Sequence, residues 1–488
     1  MDEKAIRSVP WTLLTYGGNR GLLFLTTIVL ARILDPRDFG LVALATLALL
    51  TLAVFSDFGF GAAVVLRRDL GHDALRTALT CMLGLGAVVG AVIAATSPLA
   101  ASVFKEPDLP AVLAALATTV PIGAFVSFHE ALLQREFEFR RRFIGQLVQG
   151  VVYMIVGVTA ALLGAGVWSL VVAQVVSVAL QAVALVGLAP VRVWPGFSAD
   201  AARDLLRTGR GFIAQRWLAF ASQNADYVVV GRLLGTAPLA FYSMAYRVSS
   251  LPYLAIADPI SKVTFPAFSR LRERDEDVAP AFLATSRLIA LVTVPVGVIL
   301  SASAAPFTAT VFGDAWTPMI GPLTALGIWA AISPTQVTVG WLLNSVGLAG
   351  LNAAVTTTIL PVSVTALVLA ASFGGVEAVA WVTVASLVLS LVVLSVFVAR
   401  RVQISVRRLS SAVLPAVMGA VPGWIVARLV SDALMPANPS LALICAAAAG
   451  TVAYAIAVVA AAPQLPAETI RQLRRAVGSS TTPAVPGP

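Results

Sequence analysis

Apolar residues run through this chain in long stretches, and short polar segments divide them. A helix needs about 20 apolar residues to cross the hydrocarbon core of a bilayer. Fourteen stretches reach that length, near 11–33, 40–64, 77–101, 109–130, 143–163, 167–187, 210–234, 239–266, 282–304, 318–345, 351–373, 376–398, 410–430 and 440–461. The fifth and sixth are divided only by "GAG" (Gly164 to Gly166), and the eleventh and twelfth only by "GG" (Gly374 and Gly375). The pattern predicts an all-α, polytopic membrane protein with about 14 transmembrane helices.

Composition supports this. Of 488 residues, 59% are hydrophobic and 12% are charged, against about 25% charged in soluble domains. Arginine and lysine then set the topology, because loops on the cytoplasmic side of a membrane carry an excess of both. With the N-terminus inside, the inner segments and adjoining span ends hold 23 of the 33 Lys and Arg residues. The outer ones hold 5, namely Arg32, Arg37, Lys105, Arg232 and Arg428. Both termini are therefore expected in the cytoplasm, and the net charge of +9 is explained by loop arginines, with no nucleic-acid partner. The opening "MDEKAIRSVP" lacks a cleavage pattern, and the Pro-rich end from Ala462 onward reads as a disordered cytoplasmic tail.

A repeat organises the spans. "ARILDPRDFGLVALA" (Ala31–Ala45) aligns with "GRLLGTAPLAFYSMA" (Gly231–Ala245) at an offset of 200 residues, matching Arg32 with Arg232, Leu34 with Leu234 and Ala45 with Ala245. This predicts two parallel six-helix lobes, 1–190 and 200–400, two additional transmembrane helices over 409–461, and the tail over 462–488. Transporters with parallel repeats bind substrate between their halves near the midplane.

"ARILDPRDFGLVALATLALLTLAVFSDFGFGAAVV", "LLQREFEFRRRF", "NADYVVVGRLLGTAPLAFYSMAYRV" and "TFPAFSRL" resemble segments of bacterial polysaccharide-export flippases. These form the lipopolysaccharide-biosynthesis branch of the multidrug/oligosaccharidyl-lipid/polysaccharide flippase superfamily. The resemblance covers about 1–275. It implies transfer of an undecaprenyl-diphosphate-linked oligosaccharide from the cytoplasmic to the outer leaflet of the bacterial inner membrane by alternating access. It also implies contact with membrane lipids, a polysaccharide polymerase and export machinery.

Charged residues inside the spans are the candidate chemistry, since each is costly there. A diphosphate crossing a low-dielectric region can exchange its hydration for charge-assisted bonds from arginine. Arg20 lies roughly 14 Å into the first span at 1.5 Å per residue. With Asn19, Arg216 and Arg247 it is expected to bind substrate. Its alternative is structural, pairing with Asp57 or with backbone beside Gly17, Gly18 and Gly21. Asp57, Asp226, Asp258 and Lys262 are candidates for gating or ion coupling. Asp226 and Arg247 flank an outer turn placed near 235–239, which predicts an ion pair at equal depth. Asp258 and Lys262, four apart, can neutralise each other. His129 and Glu130 are expected at the interface, and "QREFEFRRRF" against anionic lipid heads.

Cys81 and Cys445 lie in apolar stretches, and two histidines are too few for a metal centre, so neither metal nor cofactor is expected. No phosphate-cradling loop with lysine is present, and the outer loops are too short for a catalytic centre. A cation-coupled multidrug exporter of the same fold is the first alternative, and a membrane glycosyltransferase or polymerase the second.

Overall fold

The computed structural model describes residues 19–57, 60–66, 71–136, 138–189, 193–274, 276–402 and 404–463. Among them every one of the fourteen apolar stretches holds helix, and no strand occurs. The helices are α1 (Arg20–Ile33), α2 (Pro36–Asp57), α3 (Phe60–Leu66), α4 (His72–Phe104), α5 (Leu109–Ala117), α6 (Thr119–Arg135), α7 (Phe139–Leu162), α8 (Val167–Leu188) and α9 (Ala199–Leu233). There follow α10 (Thr236–Ser249), α11 (Asp258–Glu273), α12 (Ala279–Ala302), α13 (Ala304–Val311), α14 (Ile320–Ser345), α15 (Ala349–Arg401), α16 (Val406–Leu434) and α17 (Pro439–Ala461). Nine helical stretches among the described residues have the length and apolarity to cross a membrane. One of them, α15, is two arms broken at Gly375, whose φ of 68° and ψ of −159° leave the helix. That positive φ suits glycine, which has no Cβ to clash, so the "GG" read in the sequence is a true division.

The described residues group into two compact units. The first comprises Met1–Val248, Val311–Pro322 and Ala353–Ser386, the second Ser249–Thr310, Leu323–Asn352 and Leu387–Pro488.

In the second unit, α16 and α17 pack through small residues. Ala442, Ala446, Gly450, Tyr454 and Val458 recur every four positions on α17, facing Ala412, Ala416, Gly419, Gly423 and Ala427 of α16. In a bilayer no hydrophobic force drives helices together, so close van der Waals packing of small side chains does. A Cβ on Gly450 would stand 3.0 Å from the Gly423 carbonyl. Tyr454 satisfies its hydroxyl on the carbonyl of Leu291 on α12 (3.2 Å). Large apolar residues such as Leu429 and Ile444 point outward, as lipid-facing positions should.

In the first unit, Phe60, Leu79, Met82 and Phe128 join α3, α4 and α6 in one core, and Leu30, Ala161 and Leu170 join α1, α7 and α8 in another. Gly86 and Gly90 of the G-x-x-x-G in α4 are buried. A Cβ on Gly90 would lie 2.9 Å from the carbonyl of Ala117. The glycines are packing residues.

The two repeated motifs meet at one end of this unit. The carboxylate of Glu106 accepts from Arg37 (3.1 Å) in the first motif and from the hydroxyl of Thr236 (2.6 Å) in the second. A Cβ on Gly40 would overlap the Thr236 carbonyl. Buried Trp316 donates to the Ala31 carbonyl (2.8 Å) and stacks edge-on with Phe39 at 5.4 Å. Arg32 and Arg37, two of the five arginines and lysines assigned outside, are thus engaged here, Arg32 on the Val311 carbonyl at 2.9 Å.

Candidate functional site

A cavity of about 800 Å³ opens in the first unit. Helices α1, α2, α7, α8, α9 and α10 each contribute a polar residue: Thr27, Thr46, Gln149 with Tyr153, Gln174, Gln223 and Arg247 respectively. Helix α6 adds Thr119 and Ser127, and leucines, valines, Met82, Ala124 and Phe220 supply apolar wall. Among the described lining residues Arg247 is the only charge, and no carboxylate is present. Its Nη1 donates to Oγ1 of Thr27 (3.3 Å). Thr27 in turn donates to the carbonyl of Leu23 one turn back (2.8 Å), so its oxygen is left to accept from the arginine. The arrangement presents a steadied guanidinium to a roomy, largely neutral space. Guanidinium groups favour phosphate and carboxylate through paired donors.

Arg247 was expected to pair with Asp226, and the structure gives the two different partners. The hydroxyl of Tyr242 donates to Oδ2 of buried Asp226 (2.5 Å), and the backbone N–H of Tyr227 donates to Oδ1 (2.9 Å). Tyr242 also lies 3.0 Å from Oγ1 of Thr383. The reason is register. α9 ends at Leu233 and α10 begins at Thr236, so the turn is only Leu234 and Gly235, with Gly235 at φ +94°. Eight residues before Leu234 lies Asp226, and eight after Gly235 lies Ser243, beside Tyr242. A turn centred two residues later would have set Arg247 opposite.

The other sequence candidates fall in several places. Arg20 begins α1, three and seven residues before the cavity-lining Leu23 and Thr27. Arg216 on α9 stands four and seven residues before Phe220 and Gln223. These spacings belong to one helical face. The side chains of Arg20, Arg216, Asp57, Asp258 and Lys262 lie outside what the structure describes. Asn19 is buried against Gly150 of α7, where a Cβ would overlap its Oδ1, and that oxygen has no hydrogen-bond partner among the described residues.

His129 and Glu130, expected at the interface, are turned inward. His129 is buried and its Nδ1 donates to the Phe125 carbonyl (2.9 Å). Glu130 accepts from Arg142 through Nε (3.1 Å) and Nη2 (3.0 Å), from Gln146 (3.0 Å) and from Gln181 (3.2 Å). Arg142 of "QREFEFRRRF" therefore ties α7 to α6, and Gln181 adds α8.

The cavity glutamines and Tyr153 were missed from sequence. Their signal was present: Gln149 and Tyr153 are four apart in α7, and Gln174 and Gln181 seven apart in α8, whose other polar residues are Ser169 and Ser177. Polar residues at helical spacing in an apolar span mark a face that is not lipid.

Residues 29–321 match the model of a family described as polysaccharide biosynthesis protein, well over half of the chain. The chain belongs to that family. Among curated relatives of similar sequence, lipopolysaccharide biosynthesis protein WzxC of Escherichia coli (strain K12) is 26% identical over 349 residues, 70% of each chain. Succinoglycan biosynthesis transport protein ExoT of Rhizobium meliloti (strain 1021) is 27% identical over 329 residues, 65% of each. The fold of this chain resembles that of lipid II flippase MurJ in an inward closed conformation. The TM-score is 0.78 at 12% identity, over 94% of this chain and 99% of that one. A multidrug resistance MATE family transporter of the MOP superfamily, inward-facing, gives 0.64 at 16% identity, over 79% and 94%. At such identities these structures bear on the fold alone. The protein is thus a multi-pass membrane protein of this family with the helical fold of those transporters.

Proposed function

We propose that this protein is a flippase. It moves a polyprenyl-diphosphate-linked oligosaccharide from the cytoplasmic to the outer leaflet of the bacterial inner membrane, by alternating access of two lobes, with both termini in the cytoplasm. One observation carries the reading: a cavity of about 800 Å³ whose described lining offers one cation and no carboxylate. An anionic headgroup fits such a space, and a cationic drug does not, which disfavours the multidrug alternative despite the shared fold. The names of WzxC, a lipopolysaccharide biosynthesis protein, and ExoT, a succinoglycan biosynthesis transport protein, support a polysaccharide substrate, and that of ExoT supports a transporter over an enzyme.

Arg247 makes the first contact with the diphosphate. Arg20 and Arg216, at helical spacing from cavity residues, follow the same anion through its passage in this reading. A polymerase and export machinery would use the lipid-linked product on the outer side. Deleting the gene in the producing cell tests the reading. Glycosylated carrier lipid should accumulate in the cytoplasmic leaflet, and polysaccharide should disappear from the surface. Unchanged surface polysaccharide would refute it.

A further inference from the structure

We infer that the cavity divides its ligand between two kinds of group. Gln149, Gln174, Gln223 and Tyr153 hold sugar hydroxyls, while Arg247 holds the phosphate. This rests on the transport reading above and names the part of the cavity that recognises the sugar.

The glutamines carry the argument. Helices α7 and α8 each present two. On α7, Gln146 is bound to Glu130 (3.0 Å), and three residues on, Gln149 opens into the cavity. On α8, Gln181 is bound to Glu130 (3.2 Å), and two turns earlier Gln174 opens into the cavity. Gln223 joins them from α9. One glutamine of each pair is thus consumed in holding the helices together. The carboxamides of Gln149, Gln174 and Gln223 have no hydrogen-bond partner among the described residues. A primary amide has two donors and two acceptor lone pairs. Within an apolar span such a group is retained only where it faces a polar space.

What would satisfy them is neutral and rich in groups that both donate and accept. Sugar hydroxyls have that character, and a neighbouring pair matches the two ends of one carboxamide. A phosphate only accepts and would leave the amide oxygens unmet. Tyr153, one turn from Gln149, also lines the cavity and adds a hydroxyl to the set. The size agrees: cavities of about 300–1,000 Å³ enclose a drug-sized ligand. This one, at about 800 Å³, has room for a few sugar rings.

The test measures binding of two probes to the purified full chain in nanodiscs. One is undecaprenyl diphosphate; the other is the glycosylated carrier lipid extracted from producing cells. Wild-type protein should bind the glycosylated probe about tenfold or more tighter, about 1.4 kcal/mol per tenfold. Combining Gln149→Ala with Gln174→Ala should bring the ratio near one and leave affinity for bare carrier unchanged. Gln223→Ala should lower the ratio part-way. Arg247→Ala should weaken both probes alike. Gln146→Ala, at the structural glutamine, should lower thermal stability yet keep the ratio. Should the double variant fail to accumulate, Gln149→Asn and Gln174→Asn, each too short to reach, replace it. Equal binding of both probes by wild type, or equal loss of both in the glutamine variants, overturns the division. Wild-type protein that binds neither probe overturns the transport reading as well.

Discussion

Replacing Glu130 with alanine should strip three helices of a shared anchor. Its two oxygens take four donors: Arg142 twice on Oε2, Gln146 and Gln181 on Oε1. Removing one partner of a buried ion pair costs about 3–5 kcal/mol, because the other charge is left uncompensated. The Arg142 side chain keeps 23% of its exposure, against 16% for Glu130, so it can turn partly toward water. The low end is expected, about 3 kcal/mol. That is roughly a hundredfold shift in the unfolding equilibrium. Glu130→Gln keeps an acceptor for the two glutamines and loses the charge, and should cost less. Equilibrium unfolding in mixed detergent micelles measures both. The cycle with Arg142→Ala should return a coupling of about 1–3 kcal/mol. A Glu130→Ala protein that unfolds with the wild type, or losses that simply add, would refute the inward anchor. It would restore the basic segment to the lipid surface.

Other outcomes follow from the same geometry. Gly40→Ala drives a Cβ into the Thr236 carbonyl and should destabilise by about 1–3 kcal/mol, read as a lower thermal midpoint; an unchanged midpoint would show that the two motifs do not touch. A double-mutant cycle of Asp226→Ala with Tyr242→Phe should give a coupling of about 1 kcal/mol or more, and Asp226→Ala with Arg247→Ala a smaller one; the reverse order would return the turn to 235–239. Single-cysteine Arg141→Cys should resist an impermeant thiol reagent in intact cells and react in inside-out vesicles, and ready labelling from outside would invert the topology.

Much of the architecture is written in hydropathy. Spans are legible because about 20 apolar residues are a physical requirement of the bilayer, and even the "GG" break holds at Gly375. Side-chain partners are less so. The Asp226 partner hinged on a turn of two residues instead of five, and each residue of error moves the opposite strand of a helical hairpin by 100° around its axis. The inward turn of Glu130 was hidden because a Glu among arginines in "HEALLQREFEFRRRF" looks the same whether it meets lipid heads or Arg142. The cavity glutamines were legible in principle, as polar residues at helical spacing. Which of each pair opens to the cavity depends on where Glu130 lies, and only the fold supplies that.

The central claim is that an anionic, lipid-linked sugar crosses the membrane through this protein, with Arg247 in contact with its phosphate. Transport should be measured in proteoliposomes loaded with the glycosylated carrier lipid from producing cells, using a membrane-impermeant glycosidase to report sugars that reach the opposite leaflet. The account predicts turnover with wild-type protein, none with empty liposomes, and loss of most of the rate in Arg247→Ala with the fold intact. Wild-type protein that leaves the sugars on their original side, or an Arg247→Ala variant that moves them at the wild-type rate, would contradict it.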